Sequence, residues 1–245
     1  SIADGQATGH AAWSDWKASL LNDLVARVRS ALADKIVERQ PEFTDEQRSF
    51  ARTGKLRVRI EERSPDFAVE IIAPDKPGLL SIVAGVLNLA RFDVRSARTQ
   101  TFENSAIMKW IVTPNQYAPT VEGDLIHQMI ADAMDDSREL KERIEQRIAD
   151  YASLPSIPVP SPTVETFLDA ATDATIIEVR SHDRPALLFG IGEAITKCQI
   201  DIRSAIVTTL GAEAIDTLYV TEIGGGPLTA QRAEEVAQRL SAALA

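Results

Sequence analysis

A six-residue stretch that occurs twice constrains this chain more than any other feature. Asp75-Lys76-Pro77-Gly78-Leu79-Leu80 returns 108 positions later as Asp183-Arg184-Pro185-Ala186-Leu187-Leu188. The register extends well past the loop: Asp93-Val94-Arg95-Ser96-Ala97 falls on Asp201-Ile202-Arg203-Ser204-Ala205, and Val112-Thr113 on Val220-Thr221. From Ala68 to Thr113 there are 14 identities in 46 ungapped positions, and many of the other pairs set apolar against apolar. This is an internal duplication, and its period is far too long for a solenoid repeat. It means two copies of one small domain, which a length of 245 residues accommodates with a connecting segment to spare.

Hydrophobic periodicity fills in each copy. Leu56–Ile60 alternates apolar with charged residues and predicts a half-exposed strand; Phe67–Ala73 predicts a second, more apolar one. The Asp75–Leu80 loop leads into a buried helix through Leu79–Ala90. Phe92–Phe102, a turn at Glu103-Asn104, and Ala106–Thr113 predict a hairpin. Glu122–Tyr151 is helical, with a break expected at Asp135-Asp136-Ser137. Copy two repeats the order with strands at Val164–Leu168 and Ile176–Ser181, a helix at Leu187–Cys198, strands at Ile200–Leu210 and Ala214–Ile223, and a closing helix at Thr229–Leu244. Each copy thus reads β-α-β-β-α behind an additional strand, an α+β sandwich of the ferredoxin type. The expected division is a helical linker at 1–54, domain one at 55–152, a proline-rich connector at 153–162 and domain two at 163–245. Within the first segment, Ser1–Ala12 has no period and is expected to be poorly ordered, and Trp13–Leu32 keeps a helical spacing that suits packing against a neighbouring domain. Pro155, Pro158, Pro160 and Pro162 describe a stiff, extended connector.

Composition excludes several function classes. A net charge of −10 and an isoelectric point near 4.9 argue against phosphate backbones and anionic membranes, so neither nucleic acid nor membrane is an expected partner. Cys198 is the lone cysteine, which rules out a disulfide framework or cysteine zinc site and fits a reducing, cytoplasmic setting. No apolar run is long enough to span a bilayer, and nothing resembles a signal peptide. The start at Ser1 reads as a fragment of a longer protein.

Few residues carry chemistry. His10, His127 and His182 have no companions at metal-ligand spacing, and no nucleophile elbow is present. The His182-Asp183 doublet looks like that of metal-dependent phosphohydrolases but lacks the further ligands, so no metal site and no catalytic residue are expected. What remains are the two loops, each an Asp, a basic residue, Pro and Gly or Ala where a strand gives way to a helix. Gly78 lets backbone approach a ligand, helix N-terminal amides attract a carboxylate, and Asp75 can accept from an ammonium or amide. Such a loop suits an amino acid with both ends charged. Equally, Asp75 and Asp183 could be helix caps and nothing more.

At these loops the chain resembles the ACT domain family: Asp-(Lys/Arg)-Pro-(Gly/Ala)-Leu-Leu, then an Asp 18 residues on, Asp93 in copy one and Asp201 in copy two. The resemblance implies βαββαβ regulatory modules that bind amino acids at the interface of paired copies. It nominates as ligand-binding Asp75, Lys76, Pro77, Gly78, Leu79, Leu80 and Asp93, and in copy two His182, Asp183, Arg184, Pro185, Ala186, Leu187, Leu188 and Asp201. Together with Trp13–Leu21, Ser181–Pro185, Asp201–Ala205 and Asp216–Val220, the whole chain is similar to the C-terminal part of the PII uridylyltransferase/uridylyl-removing enzyme family. That similarity implies a sensor of L-glutamine that balances two activities on the PII protein, in a parent enzyme using magnesium. It also implies no catalysis or cofactor in this segment, and pairing of the two domains within the chain or in a homodimer. Some relatives transfer adenylyl groups instead. A module that only pairs and binds nothing, and a sensor of another amino acid, are the alternatives. Two departures stand out: Ala186 replaces the expected Gly, and Glu122–Tyr151 is longer than a minimal domain requires.

Overall fold

The computed structural model describes residues 43–115, 123–152, 160–168, 171 and 173–244. The expected disordered start, the Trp13–Leu32 helix and most of the proline-rich connector lie outside these residues. Everything that follows concerns the compact unit Glu46–Ala245. Its elements are α1 (Asp45–Ala51, entering from the boundary), β1 (Arg57–Arg63), β2 (Asp66–Pro74), α2 (Leu79–Leu89), β3 (Phe92–Phe102), β4 (Ser105–Pro114), α3 (Gly123–Asp135) and α4 (Arg138–Ala152). Copy two supplies β5 (Thr163–Phe167), β6 (Thr175–His182), α5 (Leu187–Lys197), β7 (Ile200–Leu210), β8 (Glu213–Glu222) and α6 (Ala230–Leu244).

The two copies share one antiparallel sheet of eight strands in the order β1-β2-β4-β3-β7-β8-β6-β5. Within each copy the edge beside β2 or β6 is filled by the leading strand β1 or β5. The ferredoxin-like layer is therefore completed from in front, as ββαββα, where the ACT formula βαββαβ completes it from behind. The architecture is the expected α+β tandem of two ferredoxin-like domains.

The copies meet where β3 pairs with β7, Ser96–Gln100 running against Ser204–Thr208. Arg98 faces Ile206, and these two occupy the same position in their respective copies. A local two-fold axis therefore passes between them. The helix layer obeys the same axis. α2 packs on α5, and Ser81 Oγ donates to the carbonyl of Phe189, its own counterpart, at 2.9 Å. Both helices are buried on nearly every side, from Leu79 to Leu87 and from Leu187 to Ile195, which is why their sequences are apolar almost throughout. α3 and α6 flank them with narrower stripes, Ile126, Ile130 and Ala133 in one, Ala233, Val236 and Leu240 in the other. On the strands, inward residues alternate with half-exposed ones, as in Ala214, Leu218 and Val220 of β8. Asp216 takes an inward position in that same run.

Candidate functional site

The repeated loops are anchored by their own hairpins. The Asp75 amide donates to the carbonyl of Asn104 at 2.9 Å, and the Asp183 amide to that of Ala212 at 2.8 Å. Neither aspartate caps the following helix. The N-cap positions are Gly78 and Ala186, both in the left-handed region, at φ 85° and 61°, with no side-chain cap. The first helical amides, of Leu79 and Leu187, close turns onto the carbonyls of Lys76 and Arg184. The capping explanation of the two acidic residues is thereby overturned, because the chain makes one further tight turn between the aspartate and the helix.

The basic residue of each loop has a structural task. The Lys76 ammonium bonds the carbonyl of Met134 in the last turn of α3. Arg184 donates to the carbonyl of Leu244 at the end of α6, at 2.7 Å. Each cation thus satisfies an orphan carbonyl and the negative pole of a helix C-terminus. His182 stands at the end of β6 with its ring Nδ1 2.9 Å from the Asp183 carbonyl, and it lines neither cavity described next.

Reading the motif along the chain groups Asp75 with Asp93 and Asp183 with Asp201. The fold groups them the other way. The copy-two loop, Asp183 to Leu188, lines a cavity with Asp93, Val94 and Arg95 of copy one. The copy-one loop, Asp75 to Leu80, lines another with Asp201 and Ile202 of copy two. The exchange follows from the two-fold pairing of β3 with β7, which carries the start of each strand across to the loop of the other copy. A β-bulge helps in each case. The β3–β4 register skips Arg95, and the β7–β8 register skips its counterpart Arg203. Such a bulge redirects the extra residue. Arg95 acts on the Asp183 carboxyl and Arg203 on that of Asp75, in both cases favouring the charged form.

The two cavities differ greatly. The one beneath Asp183 has a volume of about 600 Å³, within the range of small-molecule sites. The one beneath Asp75 has about 30 Å³, room for a water or two. Above the small cavity Asp75 is already engaged, since Thr101 Oγ1 donates to it at 2.6 Å. The equivalent Thr209 bonds instead to the carbonyl of Val94, at 3.1 Å, and leaves Asp183 to the space in front of it. Met108 lines the small cavity, where Asp216 lines the large one.

Charge is concentrated around the large cavity. Arg91, Asp93 and Arg95 stand exposed at its mouth, and Arg147 with Asp150 reach it from α4. Asp183 touches the surface, yet protein atoms crowd its carboxyl. That desolvation raises its pKa, and the charge of Asp93 raises it further; Arg95, His182 and the Arg184 amide pull the other way. Burial likewise raises Asp75, with Asp201 adding and the Thr101 hydrogen bond opposing. Burial lowers Arg147, and Arg91 nearby contributes in the same sense. A pocket with cations and carboxylates side by side at its mouth can hold both ends of a zwitterion.

Several of these residues escape a motif-based reading: Arg91, Arg95, Arg147 and Asp216. Two left traces in the sequence. The stretch 122–151 is longer than a minimal domain requires, and the excess includes the helix α4 that carries Arg147. Asp216 is an acid at an inward strand position where the other copy has Met108.

No family model matches the chain. Curated relatives match along it. It is 34% identical over 294 residues to the bifunctional uridylyltransferase/uridylyl-removing enzyme of Streptomyces coelicolor, covering 99% of this chain and 35% of that protein. The enzyme of the same description from Mycobacterium tuberculosis is 33% identical over 235 residues, covering 90% and 29%. The chain therefore spans about a third of the length of the curated relatives it matches. Among solved structures, aspartate kinase from Synechocystis is similar at a TM-score of 0.39 and 15% identity, covering 72% of this chain and 26% of that one.

Proposed function

We propose, on the premise that this chain is the homologue of the C-terminal segment of the bifunctional uridylyltransferase/uridylyl-removing enzymes, that it is the amino-acid-sensing regulatory module of such an enzyme. Its ligand is L-glutamine, held between the two domains, and its output is the balance of nucleotidyl transfer and removal on the PII protein. The observation that carries this reading is the cavity of about 600 Å³ beneath Asp183, built from both copies and charged with both signs at its mouth.

The mechanism is linkage. A ligand bridging the copy-two loop and the bulged start of β3 stabilises one arrangement of the two domains, and whatever catalytic domain senses that arrangement shifts with it. A metabolite sensor works near the concentration of its ligand. A dissociation constant of about 1 mM corresponds to only about −4 kcal/mol, which a few charged hydrogen bonds supply. The cavity beneath Asp75 is too small to take part.

The test is a thermal-shift screen of the twenty amino acids against this chain, since ligand that binds the folded form raises the melting temperature by mass action. Glutamine is expected to raise it, Asp183→Ala to abolish the rise, and Asp75→Ala to leave it intact. A flat response to all twenty would sink the sensor and leave a module whose work is to pair its two domains.

A further inference from the structure

The floor of the large cavity holds a group that the zwitterion at the mouth does not use. Asp216 lies on β8 between Ala214 and Leu218 on the helix-facing side and is 2% exposed. Its Oδ1 has no hydrogen-bond partner. Asn88, on the α2 wall of the same cavity, presents a second buried oxygen, Oδ1, without a partner. Buried acceptors are ordinarily satisfied, and a carboxylate deprived of donors is the most unfavourable kind to bury. Two of them on one cavity call for a molecule that brings donors. Copy one has Met108 here and almost no cavity.

Depth decides which part of a ligand reaches them. Arg91, Asp93 and Arg95 are exposed at the mouth, so the ammonium and carboxylate of an amino acid remain there, and its side chain points to the floor. Resting on the amino-acid reading above, we propose that Asp216 contacts the ligand and sets its specificity: its Oδ1 accepts an N–H from the primary amide at the end of the ligand side chain. A carboxylate in the same place would bring no donor and would face Asp216, with the charge of Asp183 close enough to act on the same carboxyl. The cavity therefore separates an amide from the carboxylate of equal length, by an unpaired buried acceptor and by repulsion together. Burial first, and the charge of Asp183 next, lift the Asp216 carboxyl to about 7. Discrimination is thus fullest above neutrality, where Asp216 is charged. The other ionisable groups on the cavity walls are Asp93, Arg91 and Arg95 at the head of β3, Arg147 and Asp150 on α4, and Arg184 beside Asp183.

The experiment is isothermal titration of this chain with glutamine and with glutamate at pH 8, for the wild type, Asp216→Asn and Asp216→Ala. The wild type is expected to prefer glutamine by more than about tenfold. Asp216→Asn, isosteric and able to turn a donor toward a carboxylate, should bring the two affinities within about threefold of each other. Asp216→Ala should weaken glutamine by about tenfold or more. Both variants remove a buried charge and are expected to melt no lower than the wild type. If glutamine binds wild type and both variants alike, with the preference over glutamate unchanged, the assignment of Asp216 falls and the sensor stands. If the wild type binds glutamate as tightly as glutamine, the amide assignment is overturned. If it binds neither, both this assignment and the glutamine reading are overturned.

Discussion

Ala186 holds a backbone conformation that its counterpart reaches with glycine, φ 61° against φ 85° at Gly78. A Cβ in the left-handed region is unfavourable by about 1 kcal/mol. Ala186→Gly is therefore expected to stabilise the chain by roughly 0.5–1 kcal/mol in urea unfolding, less what the lost methyl contributed. Gly78→Ala should destabilise it by about 1 kcal/mol through backbone strain alone, since the nearest atoms to a new Cβ are those of Thr196 at 3.7 and 3.9 Å. Opposite signs at equivalent positions would confirm that the turn, and not crowding, sets the preference. Asp216 supplies a second residue-scale test. Its folded-state pKa of about 7 exceeds the value near 4 of an unfolded chain, so the folded form binds the proton more tightly. Stability contributed by this group is complete below about pH 4, falls as pH rises, and levels off above about 7. Asp216→Asn should remove that slope and gain up to about 4 kcal/mol at pH 8. Asp75 and Asp183, raised in the same direction, leave a smaller slope of the same sign.

Among the elements, α2 and α5 meet in close contact. A Cβ on Gly192 would lie 2.9 Å from the Cβ of Ser81 and 3.1 Å from its backbone nitrogen. Backbone cannot swing aside, so Gly192→Ala is expected to lower stability by about 1–3 kcal/mol. Gly190, on the same helix, has nothing within 4 Å of such a Cβ, and Gly190→Ala serves as the neutral or stabilising control. The element boundaries were the legible part of the fold. Strong two-residue alternation and turn residues at Glu103-Asn104 fix β3 to Phe92–Phe102, and Asp136-Ser137 separates α3 from α4. What periodicity could not convey is the partner of each strand. β3 and β7 carry the same pattern, and only their pairing about Arg98 and Ile206 sends Asp93 to Asp183 and Asp201 to Asp75. The bulges at Arg95 and Arg203 are equally silent, because a single residue slipped from register leaves no signal in composition. The alanine that replaces the expected glycine at position 186 is silent in the same way, giving no sign that copy two holds the larger cavity.

For the whole molecule, a sheet continuous from β1 to β5 ties the two copies into one unit. Denaturant unfolding is expected to follow a single transition, with fluorescence and circular dichroism coincident; two separated steps would mean that the β3–β7 seam is weak. The unequal cavities carry a functional corollary. Two identical chains meeting about a true two-fold axis must present two identical sites, and every change in one is imposed on the other. Joining the halves in tandem lifts that constraint. Thr101, Met108 and Asp75 can close one pocket while Thr209, Asp216 and Asp183 keep the other open. With one ligand per chain, occupancy follows a simple hyperbola with a Hill coefficient near unity. On the proposed sensing role the response of a single chain is then graded, and a sharp threshold requires coupling beyond this one site.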